Sequence, residues 1–200
     1  RVALARAMVD TANGAGCKTS VLLTGMDEPL APALGNALEV DAAMRVLTGA
    51  ETGPLYDLSV ALGAEVLASA GVDDGEGKMR KAIDGGDAAE RFGRMVYGLG
   101  GPKGFVEDWR RYMPEAPVIR AVEAEAEGCV AAIDGEALGL AVVGLSDVVR
   151  LGETVARGQP LARIHAARVE QADAAERAIR AAIRLGTAPM PQPLVQERIG

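Results

Sequence analysis

The short apolar run Thr19-Ser20-Val21-Leu22-Leu23 constrains this chain most, because of what lies on either side of it. A helical pattern, Val2 to Thr11, precedes it, with Asn13-Gly14 placed to close that helix in the left-handed region. A polar loop, Thr24-Gly25-Met26-Asp27-Glu28-Pro29-Leu30, follows it, and then the run Gly35-Asn36-Ala37-Leu38-Glu39-Val40. Asn36 is the N-cap candidate there, and Glu39, three residues on, has the capping-box spacing. The helix so opened, Ala37 to Leu47, is stopped by Gly49. Helix, strand, loop and helix in that order predict parallel α/β winding. The loop then lies at the carboxyl end of the strand, where open sheets place ligand-handling segments.

Further helices are expected over Leu55–Ala70, Gly77–Ile83, Asp87–Tyr97 and, as a short one, around Phe105–Tyr112. Pro114 and Pro117 mark a change of pattern. Beyond them come short runs punctuated by glycine, predicted as strands over Val118–Glu125, Cys129–Ile133, Leu140–Leu145, Thr154–Val155 and Leu161–His165. A long helix, Glu170–Leu185, and a last strand, Val195–Ile199, close the chain. Two domains are therefore expected, residues 1–112 and 113–200. Val2 to Thr11 reads as a helix already under way and Arg1 is no natural start, so the chain is expected to be the C-terminal part of something longer.

The formal net charge is −7, and no dense Lys/Arg stripe occurs, which argues against a nucleic-acid or anionic-membrane surface. No apolar run is long enough to span a bilayer. Cys17 and Cys129 are far apart and match no metal spacing; buried free thiols in a reducing, cytoplasmic setting are the expectation. His165 is the one histidine, so neither a Ser/His/Asp triad nor a zinc site can be assembled from this chain. Asp27 and Glu28 are an acidic pair suited either to acid–base work or to solvated and capping roles. Three glycine-rich stretches fail as ligand loops. Gly14-Ala15-Gly16 follows a helix, Gly98 to Gly104 lacks the Ser/Thr after Lys103, and Asp73 to Gly77 lacks calcium-ligand spacing.

The run Thr24–Leu30 with Gly35–Val40 resembles the pyrimidine nucleoside phosphorylase (thymidine phosphorylase) family, whose loop reads T-D-M-[ND]-[QE]-P-L followed by G-N-A-[LV]-E-V. Gly25 departs from it, standing where the family has Asp. Ala131-Ala132-Ile133-Asp134 with Leu138–Val143, and then Leu151–Ala166, resemble the family's later blocks in the same order. The resemblance implies an α/β fold: the end of a parallel-sheet phosphate-binding domain, followed by a C-terminal α+β domain like a barrel sandwich. It implies a glycosyltransferase of nucleoside salvage that cleaves the N-glycosidic bond of a pyrimidine nucleoside with inorganic phosphate as co-substrate, in a cytoplasmic homodimer, with no cofactor required.

The family's phosphate and base groups lie upstream of the matching part, so no catalytic residue carries over to this chain. A monovalent cation site does fall partly inside. The resemblance places its carbonyl ligands at Leu30 and Ala33, and its carboxylate at Ala42, beside Asp41. The family also has a basic, glycine-rich insert where Leu145 here runs directly into Ser146. It is either deleted or left out of this chain; the second is expected, since a deletion would join two strands that the family holds apart. A carrier module is the rival reading of Leu151–Ala166, but it needs a modifiable lysine and none follows Lys103. A related AMP phosphorylase or phosphoribosyltransferase stays open, because the base-binding segment decides it.

Overall fold

The computed structural model describes residues 2–141 and 143–200. Helix α1 (Val2–Gly14) leads into strand β1 (Val21–Thr24), and a loop then reaches α2 (Asn36–Leu47). Three more helices follow, α3 (Pro54–Ser69), α4 (Gly75–Asp84) and α5 (Asp87–Gly98), each started by a turn signal the sequence carries: Pro54 at the first helical position, the Asp74 side chain accepting from the Gly77 N–H, and Gly86 in the left-handed region. Val46, Tyr56, Val60 and Ile83 form the core between α2, α3 and α4. A 3₁₀ turn, Trp109–Tyr112, is all that forms of the helix expected from Phe105. Phe105 is instead buried between the rings of Phe92 and Tyr112, at 6.2 and 6.1 Å.

The second half contains β2 (Val118–Glu123), β3 (Gly128–Ile133), α6 (Gly135–Leu140), β4 (Gly144–Ser146), β5 (Thr154–Val155), β6 (Pro160–Ala166), α7 (Val169–Ala182), β7 (Ile183–Gly186) and β8 (Val195–Ile199). Two three-stranded sheets, ordered β2-β6-β4 and β5-β3-β7, enclose the main core with α7. Val122, Val130, Leu138, Leu145, Val155, Ile164 and Ile179 are its largest fully buried side chains. Helix α7 packs through Ala172, Ala175, Ile179 and Ala182, a spacing of three and four that keeps one small-residue face against the sheet. Arg120 on β2 pairs with Asp173 and Glu176 at 2.6 and 3.2 Å and fixes the helix on that strand.

Several expectations need correction. The parallel pairing expected for β1 is not found: the strand pairs among the described residues are antiparallel, and β1 pairs with β8, Val21 opposite Ile199. The mixture of helices and small sheets is compatible with the expected α/β class; only helices follow β1 before residue 118, and Ile199 buries itself against Ala5, Val9, Val21 and Leu23. The last strand thus crosses back over the boundary expected near residue 113. Leu140–Leu145 is not one strand: Leu140 ends α6, Val142 lies outside the described residues, and strand begins at Gly144. Asp134 Oδ1 accepts from the Ala137 N–H at 2.9 Å and opens α6, and pairing resumes only at Gly144. Leu145 and Ser146 are consecutive residues of β4, so their junction does not join two strands. The last helix stops at Ala182 rather than Leu185, because Ile183 turns to extended backbone and pairs with Ile133. Cys17 is exposed and Cys129 half-buried, both free thiols, against the expectation of burial.

The two halves meet where Gly35, at the start of α2, touches β4. A Cβ on Gly35 would lie 2.9 Å from the Gly144 Cα, and the φ of +104° is one that side chains rarely adopt. Gly14, by contrast, is an ordinary helical residue with open space around it; the left-handed residue after α1 is Gly16, with φ +83°. Gly35→Ala is therefore expected to lower unfolding stability by roughly 1–3 kcal/mol. Gly14→Ala should raise it by about 0.5–1 kcal/mol. Urea titrations of the two variants check both signs.

Candidate functional site

The loop after β1 does not float. It lies antiparallel along the segment from β4 to the turn after Arg150, tied at four levels. Leu34 and Leu145 exchange backbone hydrogen bonds at 2.8 and 2.7 Å, and the Val148 N–H donates to the Pro32 carbonyl at 3.2 Å. Arg150 Nη1 donates to the Pro29 carbonyl at 2.7 Å and Nη2 to the Leu30 carbonyl at 3.1 Å. The Leu151 N–H donates to Glu28 Oε2 at 2.8 Å, while Glu28 Oε1 faces Arg150 Nη1 at 3.4 Å. Glu153 holds the turn beneath, accepting from the Arg150 N–H at 2.9 Å, and Gly152 takes a φ of +80° to make it.

These contacts separate the acidic pair. Glu28 is half-buried and committed to the arginine and to a backbone N–H, whereas Asp27 is exposed. Neither is placed for acid–base work on the other's partner. At the start of α2 the capping is also different from expectation. Gly35, not Asn36, is the N-cap; Glu39 Oε1 reaches back to the Gly35 N–H at 3.0 Å, and Asn36 is the first helical residue and exposed. Half of the capping box is present, with glycine in the position that the close approach to Gly144 requires.

The residues assigned to a cation divide. Leu30 and Ala33 both lie in the loop, but the Leu30 carbonyl already accepts from Arg150, and Ala33 is buried. Ala42 is 2% exposed and presents only a methyl group. Asp41, its neighbour, accepts from Trp109 Nε1 at 2.8 Å and pairs with Arg110 and Arg45 at 3.0 and 3.2 Å. Its carboxylate therefore ties α2 to the 3₁₀ turn. Among the described residues no group of three or more His, Cys, Asp or Glu side chains is placed to hold a metal ion.

Two cavities flank the tied loop. One, of about 620 Å³, opens between Leu34, Asn36, Pro114, His165 and Gln171; the other, of about 480 Å³, lies by Pro32, Glu51, Asp147 and Arg163. His165 Nε2 and Ser146 Oγ share a hydrogen bond at 2.9 Å between β6 and β4, while Asp147, in the left-handed region at φ +52°, pairs with Arg163 at 3.0 Å. Arg150 is the residue that sequence reasoning missed. Its one signal was a charge at the end of the apolar run Val148-Val149, directly before a Leu-Gly turn.

Residues 130–186 match the pyrimidine nucleoside phosphorylase C-terminal domain. This match supports the pyrimidine nucleoside phosphorylase family over the C-terminal portion of the chain. The matched span runs from β3 into β7 and includes Arg150, so the groups that grip the loop after β1 lie within the part of the chain that matches the family. No helix among the described residues is long and apolar enough to cross a membrane.

Burial lowers the pKa of His165 from the ordinary 6.5, with Asp147 opposing and Arg163 adding to the shift. The unfolded chain then binds the proton more readily than the folded one, so stability falls as pH drops through the ordinary histidine value and levels off below the folded one. Melting midpoints between about pH 8 and about pH 5 should decline on the acid side, and His165→Gln should reduce that decline. The wild-type and variant curves running parallel would show that His165 does not set the slope.

Proposed function

We propose that this chain works within a pyrimidine nucleoside phosphorylase that cleaves the N-glycosidic bond of a pyrimidine nucleoside with inorganic phosphate, giving free base and a (deoxy)ribose 1-phosphate. One observation carries the reading. The loop whose wording resembles the phosphorylases is seated by four levels of contact on the segment that matches the phosphorylase C-terminal domain. Two separate resemblances thus meet in one piece of structure.

The reaction needs cationic and hydroxyl groups around phosphate, and donors that stabilise negative charge on the departing base. The residues described here do neither directly. Their part is to fix the carboxyl end of β1 and the start of α2, so that a phosphate-binding sheet and its loops are held still while the nucleoside is brought up. A rigid wall of this kind also helps exclude water, which would divert the sugar to hydrolysis. Pyrimidine nucleoside and phosphate are the ligands of this reading, and a homodimer its assembly.

Thymine or uracil release from the nucleoside, assayed with the whole polypeptide, is expected to require phosphate and to yield sugar 1-phosphate in equal amount. Release that persists without phosphate would indicate a hydrolase. Phosphate-dependent cleavage of AMP in place of nucleosides would move the chain to the related AMP phosphorylases.

A further inference from the structure

The Arg150 guanidinium takes one of the two carbonyls that the resemblance assigns to a cation, that of Leu30, and reaches the neighbouring Pro29 carbonyl and Glu28 in place of Ala33. It contacts two successive main-chain carbonyls, Pro29 and Leu30, and a carboxylate, Glu28, a set of oxygens of the kind that binds alkali cations. A guanidinium suits the geometry of adjacent carbonyls because its N–H donors form a planar fork, and it stays charged at any pH the protein meets. The arginine is anchored from behind, its own N–H held by Glu153, so the fork is delivered by a rigid turn rather than by a free side chain.

We propose that Arg150 is a tethered replacement for a bound monovalent cation, so that the loop after β1 is held in place without potassium. Three further observations support this. The carboxylate position of the implied cation site is the buried methyl of Ala42. The nearest alternative, Asp41, is occupied by Trp109, Arg110 and Arg45. Glu28 balances the charge of Arg150, leaving no net negative charge at the carbonyls to draw in a second cation, which would in turn be repelled by the guanidinium. The proposal goes beyond the phosphorylase activity and rests on the family resemblance only for the place of the implied cation.

Melting midpoints of the chain are to be compared in potassium, sodium and tetramethylammonium chlorides at equal ionic strength, for the wild type, Arg150→Ala and Arg150→Lys. The wild type is expected to be indifferent to the cation. Arg150→Ala should lose about 5 °C in tetramethylammonium, since several charge-assisted hydrogen bonds go at once. Potassium or low methylguanidinium should restore most of that loss by refilling the vacated oxygens, a readout that a merely structural arginine would not give. Arg150→Lys should lie between, because one ammonium does not match both carbonyls. Thallium-205 NMR on the wild type needs no variant and should show no saturable binding. Saturable thallium binding, potassium-specific stabilisation of the wild type, or an Arg150→Ala loss identical in all three salts and unrescued would each overturn the proposal. A positive cation result with no nucleoside cleavage would leave Arg150's role standing and remove the phosphorylase reading instead.

Discussion

Arg150 gripping the loop after β1 is the interaction on which the arrangement of this molecule depends. The loop carries Pro29, Pro32 and two glycines, and has no regular structure of its own to satisfy its carbonyls. An unpaired carbonyl in a partly buried position costs free energy comparable to a lost hydrogen bond, so the loop needs donors from elsewhere. They come from a segment more than a hundred positions later in the chain: the amides of Leu145, Val148 and Leu151 and the guanidinium of Arg150. Because the arginine donates to two carbonyls and faces a carboxylate, it fixes the position of the loop along the segment as well as its distance from it.

Small residues make the rest of that contact possible. Glycines stand on both sides of the closest approach, Gly35 on the helix side and Gly144 on the strand side, where a Cβ would lie 2.9 Å from the Leu38 Cδ1. Side chains at these positions would hold the backbones apart and stretch the ladder between Leu34 and Leu145. The tight contact and the hydrogen bonds are therefore one structural solution. Polar residues outside it, such as Asp41 with Trp109, then lock α2 against the opposite side.

Much of this was legible in the residues, and the parts that were not have physical reasons. The strands at Val118 and Val195 carry their signal locally, in β-branched and alternating residues bounded by turns. Helix α3 is announced by Pro54 and ended by Gly71. The end of α7 was misread because Ile183-Arg184-Leu185 continues a helical pattern; what stops it is the neighbouring strand, which local sequence does not display. Leu140 looks strand-like with its apolar neighbours, yet the Asp134 cap upstream opens a helix that runs to Leu140. At the site, the loop was recognised from its wording, while its partner was missed, because a lone arginine reads as surface charge until its long-range contacts are seen.

The pairing of β1 with β8 has a consequence for how the molecule is made. Val21 finds its partner in Ile199, so the edge of β1 that faces β8 is paired only once β8 has been made. During synthesis the apolar residues Val21 and Leu23 must wait while everything between them and β8 is translated, and loop closure over that span is slow. For that interval the edge of β1 that β8 covers is unpartnered, the kind of surface that chaperones cover and that aggregation exploits. The residues around Ile199 thus decide when Val21 and Leu23 are covered.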